Sequence, residues 1–450
     1  MRNAIQKMLL CSVALALTAC TIHPRGESEE RATVINAGKP YEHPIETRTV
    51  APLAPDATPE EMVQYALLTN ADVEAQYWQW RSALEQVPQD GTEKTNIAIS
   101  LTSMITNGST AWKMTNVGVG NDASANIVLP SKLDTAAKAA LENAKAAGLR
   151  FDKARYELRN KLLSAYYDYA LTAELLRLEE QNQKLLELTD QMVKLRIGTG
   201  TSMQQDLLKA GNELESSKND IASFRAKAAV QLAAINVILN RDPTTPIAIP
   251  KTLPAPRPVP GDDAALLKAC AESSPELRAL QADLAAKGLG IKMAKQEYLP
   301  EFGVNATTDF AGITQSILGS VMVPVLRYQA IDAGIRQAED NLRATAAAAH
   351  QFRHELAGRV VTDLVQLRED ERQVTFLEST LIPRTRQVVS ASQASYGANQ
   401  SSMLDLLDGQ RSQIALQRLA AEMKTDREKQ LADLEAAIGA SLLPTTNETK

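Results

Sequence analysis

The sequence has few of the residues that build chemical sites. Its 450 residues include four histidines and three cysteines, and aromatic residues make up only 4% of the chain. It contains no nucleotide-binding glycine loop, and no serine, histidine and aspartate are arranged around a recognisable nucleophile elbow. We therefore expect no cofactor and no enzymatic activity.

Two of the histidines, His350 and His354, have the helical spacing of two zinc ligands. No glutamate base lies between them, because the intervening residues are Gln351, Phe352 and Arg353. The pair is therefore more typical of a packed or solvated helix face than of a metal centre. A role in metal transport is the alternative interpretation.

Long apolar segments are also lacking after the first twenty residues. A helix needs about 20 apolar residues to cross a bilayer, so any membrane crossing is expected to be made by strands. The formal charge of −6 becomes −8 if Arg2 and Lys7 are removed with the N-terminus. This acidity argues against nucleic acid as a partner.

The first twenty residues have the pattern of a lipoprotein signal peptide. A cationic start is followed by an apolar core over 8–17 and by the lipobox Leu17-Thr18-Ala19-Cys20. We expect cleavage after residue 19 and a lipid on Cys20, and Thr21 at the next position favours the outer membrane. Cys270 would then be the only free thiol of the mature chain, which excludes an intrachain disulfide.

The rest of the chain contains an internal duplication. Residues 198–240 align without gaps on residues 397–439, an offset of 199. This period is too long for a solenoid, whose repeats span about 20–50 residues, and it indicates two halves of one architecture. The predicted parts are a signal peptide, an extended N-terminal segment, the first repeat, a proline-rich linker, the second repeat and a tail. They cover 1–19, 20–57, 58–240, 241–261, 262–442 and 443–450.

Each repeat is expected to contain a helix, a strand region, a long helix, a glycine-containing turn and a returning helix. The first helix begins with Thr58 as its capping residue and Glu61 at the third position. Pro383 predicts a kink near Leu381. Leucines at steps of three and four along the long helix are typical of a coiled coil. The predicted helices cover 59–87, 132–197 and 202–240 in the first repeat and 264–299, 326–395 and 402–442 in the second.

Alternating apolar and polar residues predict two strands in each repeat, within 95–130 and 301–326. The clearest strands are 96–101, 302–307 and 320–325. Four strands cannot stand alone in lipid, because the edge N–H and C=O groups would lack partners. Three copies would supply twelve strands, enough to close a barrel. The alternative is a pair of surface hairpins on a soluble helical protein.

This order of elements behind a lipobox resembles the TolC-type outer-membrane factor family, in its lipoprotein branch. The resemblance covers residues 58–442, and its most specific segments, 195–202 and 395–408, are similar to the family's two helix-turn-helix tips. It implies a mainly α fold with a small β part. Duplicated antiparallel helices would form an α-barrel, and four strands per protomer would contribute to a 12-stranded trimeric outer-membrane β-barrel.

The resemblance also implies a site at the tip. Asp405 and Asp408 resemble the aspartates that line the family's periplasmic gate, and Asp206 holds the matching position in the first repeat. Acidic residues in a first helical turn are alternatively simple stabilisers of the helix N-terminus. Gly198, Gly200 and Gly397 are expected to let the backbone reverse with positive φ at the two turns.

The function predicted from the sequence is an outer-membrane channel of a tripartite efflux pump or a type I secretion system. The partners implied by the resemblance are two further copies in a homotrimer, a periplasmic adaptor (membrane fusion) protein, an inner-membrane pump of the RND or ABC type, and outer-membrane lipid. The alternative from another class is a periplasmic coiled-coil lipoprotein that acts as a non-conducting scaffold.

Overall fold

The computed structural model of the protein describes residues 21–45, 47–93, 97–102, 105–106, 109–110, 116–121, 127–250, 252–259, 262–309, 315–398, 400–440 and 442. The predicted signal peptide, Cys20 and the tail 443–450 lie outside them. The chain forms two compact units. The strand unit is drawn from Met1–Lys39, Gln76–Arg150 and Glu276–Phe352, and the turn unit from Pro40–Ala75, Phe151–Pro275 and Arg353–Lys450.

The N-terminal segment contains helix α1 (Glu27–Gly38) and a short 3-10 turn after it. The prediction of an extended segment over 20–57 is therefore wrong for this part. Three glutamates in the first turn of α1 favour the helix dipole. The helix is also held by a residue far along the chain, because Glu30 accepts a hydrogen bond of 2.8 Å from Trp80 Nε1. A contact across 50 residues leaves no local signal in the sequence.

The predicted first helix of the first repeat is divided into α2 (Pro59–Thr69) and α3 (Ala71–Gly91). The predicted cap of α2 is confirmed, because Thr58 Oγ1 accepts from the backbone N–H of Glu61 and the Glu61 carboxylate accepts from the backbone N–H of Thr58. Asn70 causes the division. Its side-chain oxygen accepts the first N–H groups of α3, and it thus serves as the cap of a new helix.

The long helices of the two halves have nearly the same length. In the first half, α4 (Pro130–Gly198) has 69 residues and α5 (Gln204–Ile238) returns over 35. The second half begins with α6 (Asp263–Ser273) and α7 (Pro275–Gln296). Its long segment comprises α8 (Tyr328–Phe376), a five-residue π-helical turn and α9 (Ile382–Gly397), which are 70 residues in all, and α10 (Met403–Ile438) returns over 36.

The irregularity predicted near Leu381 takes the form of a π-helical turn over Leu377–Leu381. The backbone N–H of Ile382 bonds to the carbonyl of Leu377, five residues earlier. Pro383 follows directly, in the first turn of α9. Proline has no backbone N–H, and in a first turn this removes no intrahelical hydrogen bond. The wider π turn therefore carries the helical chain up to the proline without ending it.

The described strands form one four-stranded antiparallel sheet and one hairpin whose two strands have two residues each. The strands are β1 (Ile97–Thr102), β2 (Ile105–Thr106), β3 (Ser109–Thr110), β4 (Asn116–Asn121), β5 (Glu301–Asp309) and β6 (Gln315–Met322). The sheet order is β1-β4-β5-β6, so strands of the two halves pair through β4 and β5. The register aligns apolar residues in one row across the sheet, namely Ile99, Val119, Ala306 and Ile317.

The last strand lies earlier in the chain than the prediction of 320–325. Strand β6 ends at Met322, and Val325 N–H bonds to the carbonyl of Val323 in a tight turn. Pro324 explains the difference, because it has no N–H to give to a strand ladder. The apolar alternation from 321 to 325 therefore continues past the end of the strand.

A neutral network of six charged residues fills the interior of the turn unit. Its centre is Arg257 of the proline-rich linker, which bonds to Glu428 at 2.8 Å and to Glu435 at 2.9 Å on α10. The two carboxylates are 4% and 1% exposed. Three arginines face three glutamates in this network: Arg159, Arg257, Arg427, Glu371, Glu428 and Glu435.

The network favours the ionised form of Glu435. Burial opposes the charge on Glu435, but Arg257 and Arg159 outweigh burial and hold the pKa of this carboxyl below its ordinary value. The side chain of Arg257, from the proline-rich linker, is 9% exposed and inserts between α4 and α10, where Tyr167 donates a hydrogen bond to Glu428.

One helix among the described residues, α5, is long and apolar enough to cross a membrane by length and composition alone. A helix packed in a soluble protein meets the same criterion, and Ile221, Ala228 and Ile235 of α5 are buried against the protein. The expectation that no helix of the mature chain crosses the bilayer stays a prediction.

We predict that Arg257→Met will destabilise the protein by about 3–5 kcal/mol, because it leaves two buried carboxylates without their shared cation. Urea denaturation followed by circular dichroism will measure the loss. The matched control is Arg343→Met, since Arg343 and its partner Asp340 are 76% and 72% exposed. Equal stability of the two variants would contradict the assignment.

Candidate functional site at the two interhelix turns

The two turns that connect the long helices to the returning helices lie in the turn unit. The first turn follows α4, where Gly200 has a φ of +72°. Its reversal is fixed by backbone hydrogen bonds from Gly200 N–H to Ile197 and from Thr201 N–H to Arg196. Glycine is the residue that adopts this left-handed conformation without strain.

The two other glycines predicted at the turns do not have positive φ. Gly198 and Gly397 are the last residues of α4 and α9 and have right-handed backbone. The second turn leaves its helix through Ala398, with φ of −86° and ψ of 6°, a conformation open to any residue. The expectation for these two glycines is therefore wrong. Of the three predicted glycines, Gly200 adopts the left-handed backbone conformation.

An arginine of the first turn binds the second turn. Arg196 donates to the backbone carbonyl of Tyr396 and to that of Thr201, and its guanidinium lies 4.2 Å from the centre of the Tyr396 ring. Ser202 and Tyr396 share a hydrogen bond of 3.2 Å between their hydroxyl groups. Cation–π and hydrogen-bond contacts together hold the two turns side by side.

A small apolar core lies beneath the turns. It contains residues of all four helices that meet there, so each turn is supported by the other repeat as well as by its own. The buried members are Leu186, Val193, Ala210, Tyr396, Met403, Leu406 and Leu407. Side chains three and four positions apart on a helix lie on the same face. Burial of these residues therefore leaves the side chains on the opposite faces of the helices exposed.

Asp405 caps the N-terminus of α10. Its carboxylate accepts hydrogen bonds of 2.7 Å from the Ser402 hydroxyl and 3.1 Å from the Ser402 backbone N–H. Ser402 Oγ in turn accepts from the backbone N–H of Asp405. The hydrogen bonds from the Ser402 side chain and backbone lower the pKa of Asp405 below its ordinary value. The side chain is exposed, so the carboxylate is held charged at the surface of the turn.

Asp408 and Asp206 have different surroundings. Asp408 lies one helical turn beyond Asp405 and is exposed. Asp206, at the matching position of the first turn, accepts hydrogen bonds of 2.9 Å from the Ser202 hydroxyl and 3.4 Å from the Met203 backbone N–H. Met203 holds the cap position of α5 and has no side-chain hydrogen bond there, so only Asp405 has the reciprocal serine contact.

Arg196 has no local signal in the sequence that predicts its role. Its partner Tyr396 is 200 positions away, and only the internal duplication could have suggested that the two turns meet. Among the residues that the structure describes, no group of three or more histidine, cysteine, aspartate or glutamate side chains could hold a metal ion.

The second half of the chain matches a family model. Residues 266–440 match the family described as Outer membrane efflux protein. A relative, Nodulation protein T of Rhizobium leguminosarum bv. trifolii, is 24% identical over 331 residues, which cover 68% of this chain and 68% of that protein.

Solved structures share the fold over most of the chain. The outer membrane protein VceC of Vibrio cholerae matches with a TM-score of 0.74 at 13% identity, over 86% of this chain and 97% of VceC. The open-state MtrE channel of Neisseria gonorrhoeae matches with 0.73 at 17%, over 89% and 95%. The outer-membrane channel OprN matches with 0.71 at 16%, over 86% and 91%. These likenesses confirm the predicted mainly α fold with long helices and few strands.

We predict that Ser402→Ala will raise the pKa of Asp405 towards its ordinary value of 3.8, because both side-chain hydrogen bonds between the two residues are lost. A lowered folded-state pKa stabilises the helix above pH of about 3.8, and this contribution is lost as the pH falls through the lowered pKa. A ¹³C NMR titration of labelled aspartates will measure the change. Ser401→Ala is the control, and an unchanged Asp405 pKa in Ser402→Ala would refute the cap.

Proposed function

We propose that this chain, which belongs to the TolC-type outer-membrane factor family, is the outer-membrane channel of a tripartite efflux pump or a type I secretion system. The family and the fold are those of outer-membrane channel proteins. The finer assignment is that the chain conducts small molecules or polypeptide from the periplasm to the exterior.

The observation that carries this proposal is a long helix with almost no cover. Between residues 328 and 360 of α8, only Ile331, Leu356 and Val360 are buried. In proteins, a helix is stabilised more by packing of its apolar face against other elements than by the helix propensity of its residues. The protomer alone does not supply that packing, which supports assembly with further copies of the same chain.

The sheet supports the same assembly. The four-stranded sheet has β1 and β6 as its edges, and the backbone groups of an open edge would lack hydrogen-bond partners in hydrocarbon. A homotrimer would join three such sheets into a 12-stranded barrel in the outer membrane. Cyclic symmetry would at the same time bring the uncovered α8 of each copy against its neighbours.

In this assembly, Asp405 and Asp408 would form two rings of three carboxylates at the periplasmic gate. Carboxylates brought together normally raise one another's pKa and lose charge. The Ser402 cap opposes this effect at Asp405, because its hydrogen bonds stabilise the ionised form. Capping and gating are therefore compatible duties of one residue. Asp206, with Lys209 one turn later, would contribute less to the gate.

The proposal includes a lipid on Cys20, insertion in the outer membrane and helices that extend into the periplasm. The partners would be a periplasmic adaptor protein and an inner-membrane pump of the RND or ABC type, because an outer-membrane duct has no energy source of its own. A non-conducting scaffold lipoprotein is the competing function. It requires neither closure of the sheet nor exposed acids at the turns.

We predict that Asp405→Ala combined with Asp408→Ala will raise single-channel conductance by roughly a factor of two or more and will weaken block by divalent cations. The reason is the loss of negative charge and of side-chain volume at the narrowest point of the proposed gate. Planar lipid bilayer recordings will measure both properties. Glu215→Gln, a 71% exposed acid on α5, is the control.

An unchanged conductance in the double variant would remove the gate assignment while leaving the channel intact. A wild-type protein that forms no conducting trimers would instead favour the scaffold function.

We predict that Cys20→Ser will abolish incorporation of labelled palmitate, because the thiol that accepts the lipid is absent. Metabolic labelling followed by membrane fractionation will measure it. Cys270→Ser is the control, since Cys270 is 2% exposed and its burial raises the thiol pKa to about 11. Label retained on Cys20→Ser would contradict lipidation at this residue.

A further inference from the structure

A polar cavity of about 600 Å³ lies in the strand unit, beside the residues that follow the predicted lipid attachment site. Its walls are formed by consecutive residues of the N-terminal segment, by one face of α4 and by one leucine of α7. Among the lining residues are His23, Arg25, Asp134, Lys138, Leu141 and Glu142. The proposed channel function gives this cavity no role.

The N-terminal wall of the cavity is held on both sides of Arg25. The Ile22 backbone N–H bonds to the Gly91 carbonyl at 2.9 Å, and the chains approach so closely that a Cβ on Gly91 would lie 2.5 Å from the Ile22 carbonyl oxygen. On the other side, Glu27 is 2% exposed and accepts a hydrogen bond of 2.9 Å from His23 Nδ1. These contacts fix the segment that carries Arg25 against the rest of the unit.

The charged residues that line the cavity include equal numbers of cations and anions. Asp134, Lys138 and Glu142 are four positions apart and therefore share one face of α4. Lys138 bonds to Asp134 at 2.7 Å. Arg25 is exposed and, within the part of the chain that the structure describes, forms no ion pair. The cavity thus offers a cation for an anionic ligand beside carboxylates that suit a cationic one.

Glu142 has a partner that is easily exchanged. It bonds to Lys145 at 2.6 Å, and the two side chains are 24% and 37% exposed. An ion pair at the surface contributes little stability, so a ligand ammonium can replace Lys145 at low cost. The floor of the cavity is apolar, because Leu141 is 2% exposed and Leu289 is half-buried.

The cavity lies close to the level at which the sheet begins. Lys132, in the first turn of α4, lies 3.9 Å from the carboxylate of Glu301, the first residue of β5. By the rise of an α-helix, Asp134 and Lys138 lie about 3 and 9 Å further along α4. The headgroup region of one leaflet is roughly 5–8 Å thick. With the sheet in the outer membrane, the charged face of α4 is therefore at the depth of the periplasmic headgroups.

We propose that this cavity binds the zwitterionic phosphoethanolamine headgroup of a phospholipid in the periplasmic leaflet of the outer membrane. The phosphate accepts hydrogen bonds from Arg25 and Lys138, and the ammonium donates to Glu142. Leu141 and Leu289 contact the glycerol and the first methylene groups. A headgroup with negative charge alone would meet Asp134 and Glu142 without a compensating cation of its own.

This inference rests on the proposed outer-membrane placement of the sheet and on the lipid at Cys20. Five residues of extended chain span at most about 18 Å, so a lipid on Cys20 would hold Arg25 next to the same leaflet.

The test is native mass spectrometry of the full-length protein in detergent, titrated with phosphatidylethanolamine, phosphatidylglycerol or phosphatidylcholine of identical acyl chains. The wild type should bind phosphatidylethanolamine about fivefold more tightly than either of the others, because only this lipid combines a phosphate with an ammonium that donates hydrogen bonds. Equal binding of the three lipids, or a preference for phosphatidylglycerol, would overturn the proposal.

Two variants separate the two ends of the headgroup. Arg25→Gln with Lys138→Gln should weaken phosphatidylethanolamine binding about fivefold, because the donors to the phosphate lose their charge. Glu142→Gln should lower the preference for phosphatidylethanolamine without weakening phosphatidylglycerol, a change of selectivity that general damage to the fold would not produce. Circular dichroism will verify that the variants are folded.

The matched control is Lys218→Gln on α5, whose ammonium is 45% exposed and paired with Glu215, as that of Lys138 is 46% exposed and paired with Asp134. Equal loss of lipid in this control would contradict the assigned cavity. Glycerophosphoethanolamine should displace the lipid and inorganic phosphate should not; equal displacement by phosphate would refute recognition of the zwitterion. These measurements are made in detergent, so failure of the outer-membrane placement is detected separately, by absence of the wild type from outer-membrane fractions.

Discussion

The buried ion network around Arg257 is the interaction on which the turn unit depends. Glu428 and Glu435 are placed inside the protein by α10, and a buried acid without a cation would make that placement unfavourable. Arg427 of α10 and Arg159 of α4 each supply a cation to one of these acids, and Arg257 of the linker bonds to both. The linker therefore completes the charge balance between α4 of the first repeat and α10 of the second, and it couples the packing of the two repeats.

The contacts inside the protomer differ in kind from the surface that α8 exposes. Contacts between the repeats combine an apolar core beneath the turns with specific polar contacts, such as the hydrogen bond from Arg196 to the Tyr396 carbonyl. The uncovered length of α8 includes a run of small side chains over 344–349, with charged residues such as Arg343 beside it. Specific polar contacts fix how one protomer folds, and close approach of small residues suits helices that meet along their length.

Local signals in the sequence predicted much of this structure. Thr58 and Glu61 mark a helix start and Pro383 an irregular turn, because a cap and a proline act on neighbouring backbone groups. The long helices and the four strands of the sheet follow from periodicity and duplication. The contact of Arg257 could not be predicted, since its partner Glu428 lies 171 positions away and no sequence pattern connects the two residues. Helix α1 was not predicted because a distant contact helps to hold it. The early end of β6 was not predicted although its cause, a proline, lies nearby in the sequence.

The π turn after α8 has a consequence for how the two repeats can be compared. The long segment of the second half has 70 residues against the 69 of α4. An added residue in an α-helix would rotate everything after it by about 100°, turning the apolar stripe of α9 away from α10. A π turn absorbs one residue in place, so Val389 and Tyr396 still face inwards. The symmetry of the duplicated protein is therefore kept in the orientation of its side chains although it is broken in their number.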